Sequence, residues 1–336
     1  MTAPASAQAA STAYPEERRG TLFGASAYLL WGAFPLYFPL LKPAGAVEIL
    51  LHRVVWSLVV CALVLTVVRG WREFAAVFRS LGRVGALSAA AVFIAVNWGV
   101  YIYAVNSDHV VEAALGYFVN PLVTVLLGVI VLRERLRVLQ WVAVGIGLAA
   151  VAVLTFAYGK PPWIAAVLAF SFATYGLIKN RVGRGVGALT SLSVETAVLT
   201  PFALVWLVWM EAAGTGTFLD GGTQHSLLLA AAGVVTAVPL LLFAAAARRV
   251  PLSTIGLLQY LTPVLQFAIG VLVVGEQMPP ARWVGFALVW VALVVLTWDG
   301  VRTAHSRARL TRSAARAAAT TPTGDQEIPV QVTPGH

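Results

Sequence analysis

Charged side chains are scarce in this chain. They make up 11% of its 336 residues, whereas a soluble domain carries about 25%. Hydrophobic residues reach 59% and the mean hydropathy is +0.83, which is more apolar surface than a water-soluble fold can bury. The composition therefore indicates an integral membrane protein whose main partner is the lipid bilayer.

The chain has only one cysteine, and several short motifs of soluble enzymes are absent. The single cysteine, Cys61, lies in an apolar run, which excludes an internal disulfide and a thiolate metal site and is typical of a small core residue. The sequence contains no P-loop, no glycine-rich dinucleotide fingerprint and no HExxH motif, and its five histidines are scattered. We therefore expect no metal, no cofactor and no enzyme activity, and transport would have to run on a solute or ion gradient.

Apolar runs long enough to cross a bilayer, at about 20 residues each, recur along the chain. They fall near 21–41, 47–68, 85–105, 110–132, 139–158, 162–178, 187–210, 226–247, 252–274 and 283–300. With the N-terminus inside, most of the 23 Lys and Arg residues lie in inside segments, as the positive-inside rule requires. The net charge of +9 thus reflects membrane orientation, not a nucleic-acid partner. The pattern predicts ten transmembrane helices with both termini in the cytoplasm.

The two halves of the chain align without gaps at a shift of 142 residues, which lays Pro263 over Pro121, Gly270 over Gly128 and Trp283 over Trp141. Each half has five predicted spans, an odd number, so the second half enters the membrane from the opposite side. Inverted repeats of this kind are associated with alternating-access carriers. The expected fold is all-α, with ten transmembrane helices in two inverted-topology five-helix repeats.

The expected organisation has four parts. The first 19 residues lack the apolar stretch of a signal peptide, so the first span should remain as an uncleaved anchor. The parts are a cytoplasmic tail at 1–19, a first five-helix repeat at 20–158, a second at 162–300 and a disordered cytoplasmic tail at 301–336.

Two ionisable residues lie well inside predicted spans, where each costs about 2.5–3.5 kcal/mol on insertion scales. Arg53 is the one basic residue that lies within a predicted span. The 142-residue shift relates it to Glu195. The two side chains form either a buried ion pair that fixes the packing or two cavity-facing groups that bind substrate or a proton. We favour the cavity. In another interpretation, Arg53 extends outward to the membrane surface.

Polar and aromatic residues in the third span add candidate substrate contacts. Asn97 and Tyr101 share one face of that helix, and Trp98 lies beside them. Asn97 has two open interpretations: it contacts substrate, or it hydrogen-bonds to neighbouring helices.

Three other spans contribute further candidates. In the fourth span, Glu112 begins the helix and Asn120-Pro121 is predicted to break it within the membrane. The matching stretch of the ninth span contains Gln259 and Gln266, and paired interrupted helices indicate a midplane binding site. Trp31 lies in the middle of the first span and is a cavity candidate, whereas most other tryptophans are expected at the membrane interfaces.

Long motifs resemble the drug/metabolite transporter superfamily, in its EamA-type group and nearest to the RarD group within it. They include "AYLLWGAFPLYF" (27–38), "EILLHRVVWS" (48–57), "NWGVYIYAVNSDHVVEAALGYFVNPLV" (97–123) and "LFAAAARRVPLSTIGLLQYLTPVLQF" (242–267). The resemblance covers residues 20–300. It implies a ten-helix inverted-repeat fold in the plasma membrane that moves a small metabolite or drug, usually outward.

These observations predict a secondary transporter, a permease that works by alternating access. Arg53 would attract the anionic group of an anionic or amphipathic small molecule. Glu195, Glu112 or His52 would carry a coupling proton, because their protonation can change near neutral pH whereas that of arginine does not. The alternatives are a channel, a non-transporting membrane protein and, least favoured, a membrane enzyme that acts on lipid.

Overall fold

The computed structural model describes residues 5–133, 135–182, 186–247, 249–250 and 252–320. Within these ranges the regular structure is helical and contains no strand. The helices are α1 (Ala5–Gly32), α2 (Phe34–Tyr37), α3 (Ala46–Val67), α4 (Trp71–Val77), α5 (Leu81–Asn106), α6 (Val110–Leu132), α7 (Val138–Tyr158), α8 (Trp163–Val182), α9 (Ala188–Ala212), α10 (Gly222–Ala247), α11 (Leu252–Leu258), α12 (Leu261–Ile269) and α13 (Pro280–Thr320). A 3-10 turn at Phe38–Leu41 follows α2, and a π-helical turn at Gly270–Val274 follows α12.

Helices that are long and apolar enough to cross a membrane dominate the described part of the chain. Seven of them are α3, α5, α6, α7, α9, α10 and α13, and an eighth span arises if Glu16–Gly32 and Phe34–Leu41 are counted together across a 42° bend. Two shorter apolar helices cover Trp163–Lys179 and Leu261–Val274. The prediction of an all-α, multi-pass membrane protein is confirmed, whereas the count of ten spans stays a prediction.

Large apolar side chains cover the outside of the helices. Phe156 is 87% exposed and Leu272 is 80% exposed, and both lie on apolar helical segments. A soluble monomer rarely shows broad apolar patches of this kind. Lipid is therefore the medium that these surfaces fit.

Proline shapes these helices less than the sequence suggested. The predicted break at Asn120-Pro121 is wrong, because α6 continues through Pro121, as α9 does through Pro201 and α10 through Pro239. Proline has a φ angle that suits a helix and removes only one backbone hydrogen bond, which packed neighbours in a membrane bundle can accommodate. A single proline was therefore insufficient to predict a break.

The break predicted in the ninth span is present. The chain turns at Gln259–Tyr260, between α11 and α12. Pro263 then lies in the first turn of α12, where a backbone N–H has no helical partner to lose. Of the two predicted helix interruptions, the one in the second half of the chain is present and the one at Asn120-Pro121 is absent.

The helices pack in pairs that the 142-residue shift relates. Counterpart helices meet directly, as in α7 with α13, α3 with α9 and α6 with α12. Other contacts have mirror partners: α8 lies against α5 and α6, and α1 lies against α10 and α12. The helices α3 and α9, which carry Arg53 and Glu195, each contact α5 and α10 as well as one another.

Glycine allows α3 and α10 to approach very closely. A Cβ atom added at Gly233 of α10 would lie 2.4 Å from the backbone carbonyl oxygen of Trp56 in α3. No side chain could enter that gap without moving one of the helices. On α7, by contrast, a Cβ atom at Gly145 would meet no other atom within 4 Å.

This contrast predicts opposite effects of the same substitution. Gly233→Ala should destabilise the protein by about 1–3 kcal/mol, because it overpacks a closed interface. Gly145→Ala should leave stability unchanged or raise it by up to about 1 kcal/mol, because alanine favours the helix. Thermal unfolding of both purified variants in one detergent checks the prediction. Equal melting temperatures would show that the two helices do not meet this closely.

Candidate functional site

Arg53 is buried on α3, with 3% of its surface exposed. Its Nε atom donates a hydrogen bond to Thr236 Oγ1 on α10 at 2.8 Å, and its guanidinium carbon lies 4.1 Å from the centre of the Trp98 ring. Phe34 and Phe38 supply two more ring faces, at 5.3 and 5.8 Å. Cation–π contacts of a desolvated guanidinium are worth about 2 kcal/mol or more. The charge is therefore stabilised by aromatic rings and one hydroxyl group.

No carboxylate within the described ranges forms an ion pair with Arg53. The groups that interact with it electrostatically are the hydroxyl groups of Tyr117, Tyr101 and Tyr37. Trp31 packs against the same apolar cluster as these aromatic residues. An arginine in this setting remains an uncompensated cation, which favours the approach of an anionic group.

Three buried polar atoms near this centre form no hydrogen bond of standard geometry: Nη1 of Arg53, the hydroxyl oxygen of Tyr101 and Oε1 of Gln266. The Tyr101 and Gln266 side chains nevertheless lie close enough to interact with each other. A buried polar group left unpaired costs about 1–3 kcal/mol. Together these atoms present a donor, a group that can donate or accept, and an acceptor to a bound molecule.

Gln266 also connects the site to the first helix. Its Nε2 atom donates a hydrogen bond to the backbone oxygen of Trp31 at 3.3 Å. The Trp31 ring packs against Tyr28 and Phe243, with ring centres 5.4 and 5.9 Å away. Two of the predicted contacts, Trp31 and Gln266, are thus joined, whereas Gln259 lies in the break between α11 and α12.

The nitrogen and the oxygen of the Asn97 side-chain amide both form hydrogen bonds within the protein. Its Nδ2 atom donates to the backbone oxygen of Leu168 at 3.0 Å and to Ser171 Oγ at 3.1 Å, and its Oδ1 atom accepts from the Tyr117 hydroxyl group at 3.0 Å. These bonds join α5 to α8 and α6. Of the two interpretations from the sequence, the geometry favours a bond between helices over a substrate contact.

Glu195 pairs with a residue that the sequence interpretation had placed in a loop. Its Oε1 atom lies 2.7 Å from the Nζ atom of Lys179, and α8 extends to Val182 and so includes that lysine. Arg53 and Glu195 do not form the direct ion pair that was one of the two alternatives. Because α8 runs past the predicted end of the span at 178, Lys179 is a second basic residue within an apolar helix.

Two carboxylates, the buried Glu112 and the half-buried Glu276, cap helix N-termini. Oε1 of Glu112 accepts a hydrogen bond from the backbone N–H of Ile164 at 3.0 Å, and Oε1 of Glu276 accepts one from Val111 at 2.9 Å. Carboxylates at these positions satisfy free N–H groups and complement the helix dipole. Glu112 therefore stabilises the start of α8 and lies apart from the Arg53 centre.

A polar cavity of about 410 Å³ contains both of these carboxylates. It is lined by Asp108, His109, Glu112, Lys160, Val274, Gly275, Glu276, Gln277 and Arg282. Burial raises the pKa of Glu276 above its usual value, although hydrogen bonds from Val111 and Val110 oppose this shift.

His52 and Asn120 are the remaining candidates from the sequence. His52 is buried beside Arg53 on α3, stacks on the Phe218 ring at 4.5 Å, and has an unpartnered Nε2 atom. Asn120 also has a buried Oδ1 atom without a partner, and it lies one turn after Tyr117 on α6. Both atoms therefore have an unused capacity for a hydrogen bond.

A protein-family comparison matches the description "EamA-like transporter family" twice in this chain, at residues 18–156 and 161–298. The chain belongs to the EamA-like transporter family. The resemblance inferred from the sequence motifs is confirmed.

Named relatives of this EamA-like chain cover almost its whole length. "Protein RarD" of Streptomyces exfoliatus is 57% identical over 91% of the chain and 96% of the relative. "Uncharacterized transporter YojE" of Bacillus subtilis (strain 168) is 41% identical over 86% of the chain and 97% of the relative. A solved structure titled "Crystal structure of protein" matches with a TM-score of 0.55 at 20% identity, covering 83% of this chain and 97% of that one, and supports the fold alone.

Arg53, Trp98, Tyr101 and Gln266 were candidates from the sequence, whereas the residues that complete their surroundings were not. Thr236 is the hydrogen-bond partner of Arg53, yet a threonine in an apolar helix carries no distinct signal. The pairing of Lys179 with Glu195 had a weak signal, because Tyr175 and Lys179, like Ser191 and Glu195, are four residues apart and share a helix face.

If Asn97 joins helices, its removal should affect folding more than ligand affinity. Asn97→Leu should lower stability by about 1–3 kcal/mol, because it removes the hydrogen bonds from α5 to α8 and leaves the Tyr117 hydroxyl group unpaired. Asn106→Leu on the same helix is the control, since the Oδ1 atom of Asn106 has no partner to lose. Thermal unfolding checks this. A wild-type melting temperature combined with weakened substrate binding would instead identify Asn97 as a substrate contact.

The raised pKa of Glu276 predicts a pH-dependent stability difference. A group with a raised folded-state pKa contributes its stability at low pH and loses it as the pH rises. The wild type should therefore lose stability relative to Glu276→Gln as the pH rises above the usual value of 4.5, until the raised pKa is passed. Melting temperatures of both proteins between about pH 4 and pH 8 measure this. The exposed Glu73→Gln change is the control, and a pH-independent difference for Glu276→Gln would contradict the assignment.

Proposed function

We propose that this EamA-like protein is a secondary transporter that exports a small anionic or amphipathic molecule across the plasma membrane by alternating access. The bent pair at α1 and α2 and the short helices at α8 and α11–α12 complete ten spans. These spans form two inverted repeats, with both termini in the cytoplasm. Family membership, the transporter names of relatives and the exchange of helix contacts under the 142-residue shift support this proposal.

One observation carries the proposal. A permanently charged guanidinium is buried without a carboxylate partner among the described residues, and unpaired polar atoms of Arg53, Tyr101 and Gln266 lie around it. Holding this arrangement costs free energy, and a bound anion would recover it. The aromatic rings and Thr236 stabilise the charge only in part, because none of them carries a negative charge.

The chemistry of the site defines the substrate group that it fits. Nη1 of Arg53 donates to an oxygen of a carboxylate or a similar anion, and the Tyr101 hydroxyl group can donate a second bond. Oε1 of Gln266 accepts from an N–H or O–H group of the same molecule. Trp98, Phe34 and Phe38 supply apolar surface beside the charge. An anion with an apolar body satisfies all of these groups.

Proton coupling is part of the proposal, and the geometry ranks its three candidates. Glu112 accepts a hydrogen bond from the start of α8, so protonating it would weaken a helix cap. His52 lies next to Arg53 with a free ring nitrogen, and Glu195 lies on the counterpart helix. His52 is therefore the better-placed proton carrier, because Glu195, like Glu112, already accepts hydrogen bonds within the protein, from Lys179, Ser191 and Tyr175.

The substrate is found by comparing metabolites in cells that lack and cells that overexpress the protein. A compound that is retained in the first and depleted in the second is then tested for flux in proteoliposomes. A wild-type protein that moves no such compound and creates no proton flux would overturn the assignment as a transporter.

Arg53 should determine the rate of this flux. Arg53→Ala should lower the specificity constant kcat/KM by about 10- to 100-fold, the equivalent of a charge-assisted hydrogen bond of about 1.5–3 kcal/mol. Arg53→Lys should lose less, because it keeps the charge but not the planar donor group. Arg83→Ala, at an exposed arginine of α5, is the control. Flux that is unchanged in both Arg53→Ala and Glu195→Gln would refute these residue assignments.

A further inference from the structure

We infer that Lys179 and Glu195 form a gate that closes the path between α8 and α9, an inference that rests on the proposed transport function. The pair lies at the boundary between the exterior and the buried interior. The side chain of Lys179 is 25% exposed, whereas that of Glu195 is 1% exposed. An ion pair at this boundary can close a path that leads from the exterior into the buried interior.

The gate is a cluster of four polar side chains, two from each helix. Glu195 Oε1 accepts hydrogen bonds from Lys179 Nζ at 2.7 Å and from Ser191 Oγ at 2.9 Å, and Oε2 accepts one from the Tyr175 hydroxyl group at 3.3 Å. Lys179 also donates to Ser191. Its ammonium group lies 5.4 Å from the centre of the Tyr175 ring. Every donor in this cluster is directed at Glu195 or its hydrogen-bonded neighbour, so one carboxylate holds both helices.

The two helices have little else to hold them together. α8 packs along α5 and α6, and α9 packs along α3 and α5. Within the described ranges, the backbones of α8 and α9 come close at no more than a few places. Breaking the polar cluster would therefore release the two helices from each other without disturbing their main packing partners.

The repeat supplies a second, independent argument. The 142-residue shift lays Lys179 over Tyr37 and Glu195 over Arg53. In the first half the same two positions carry no ion pair: Arg53 donates to Thr236, and the Tyr37 hydroxyl group donates to the Leu228 backbone oxygen at 2.6 Å. Counterpart positions of an inverted repeat lie at equal depths from opposite faces. The ion pair thus closes one face, while its counterpart position is the substrate-facing Arg53.

Thiol labelling tests this gate without a substrate. Replacing Cys61, the chain's single cysteine, by Cys61→Ala gives a cysteine-free background, and Ser191→Cys then adds a reporter of similar size within the cluster. The probe is a membrane-impermeant maleimide applied to inside-out and right-side-out vesicles. With the ion pair intact, we expect slow labelling from both sides.

Breaking the pair should open the path from one side. Lys179→Met, Glu195→Gln and their combination should each raise the labelling rate at least about 10-fold, and the exchanged pair Lys179→Glu with Glu195→Lys should restore slow labelling. The combined neutral variant keeps the test valid if a single unpaired charge prevents folding. Arg137→Gln is the matched control, since it removes an ion pair with Asp299 between α7 and α13, which pack together along their length.

Three results would overturn the gate. They are fast labelling with the pair intact, an unchanged rate in every pair-breaking variant, and an equal increase in Arg137→Gln. The transport proposal is judged separately by the flux assay. If flux is absent while labelling responds as expected, the transport function is wrong and the closure by Lys179 and Glu195 stands.

Discussion

The structure depends on how a membrane bundle accommodates a charge that cannot be neutralised. Arginine stays protonated in proteins, and Arg53 is buried without a carboxylate partner in the described part of the chain. Ring faces from α2, the 3-10 turn and α5, and a hydroxyl group from α10, surround it. Helices from both repeats must therefore keep their places for the charge to be tolerated. The same arrangement that stabilises the cation leaves its Nη1 atom without a hydrogen-bond partner.

Carboxylates that are buried or half-buried join segments of the chain through hydrogen bonds. Glu48 accepts hydrogen bonds from the backbone and side chain of Thr217, in the segment between α9 and α10. Glu112 and Glu276 cap the starts of α8 and α6. Each acidic group is thus bonded to a part of the chain that is remote in sequence. In a medium without water, such bonds replace the solvation that these groups would otherwise lose.

The sequence was sufficient for the class of fold and for the family, because both depend on long apolar runs and long motifs. It also made Arg53 and Gln266 candidates, since a polar residue in an apolar helix is conspicuous, and both are buried in the structure. It failed where the answer depended on which helices meet. Glu195 pairs with Lys179 because of the rotation and the length of α8, and Pro121 leaves α6 intact because of its surroundings. Tertiary contacts of this kind have no counterpart in hydrophobic periodicity.

The backbone contact at Gly233 has a mechanical consequence. Because α3 and α10 touch with no side chain between them at Gly233, neither helix can tilt toward the other, and we expect the two to move together as a closely packed pair. Arg53 on α3 and Thr236 on α10 are three residues from Trp56 and Gly233, respectively, and would travel together with their hydrogen bond intact. Any conformational change that keeps this contact also keeps the geometry around the charge, and takes place at helix boundaries that are held by side chains alone.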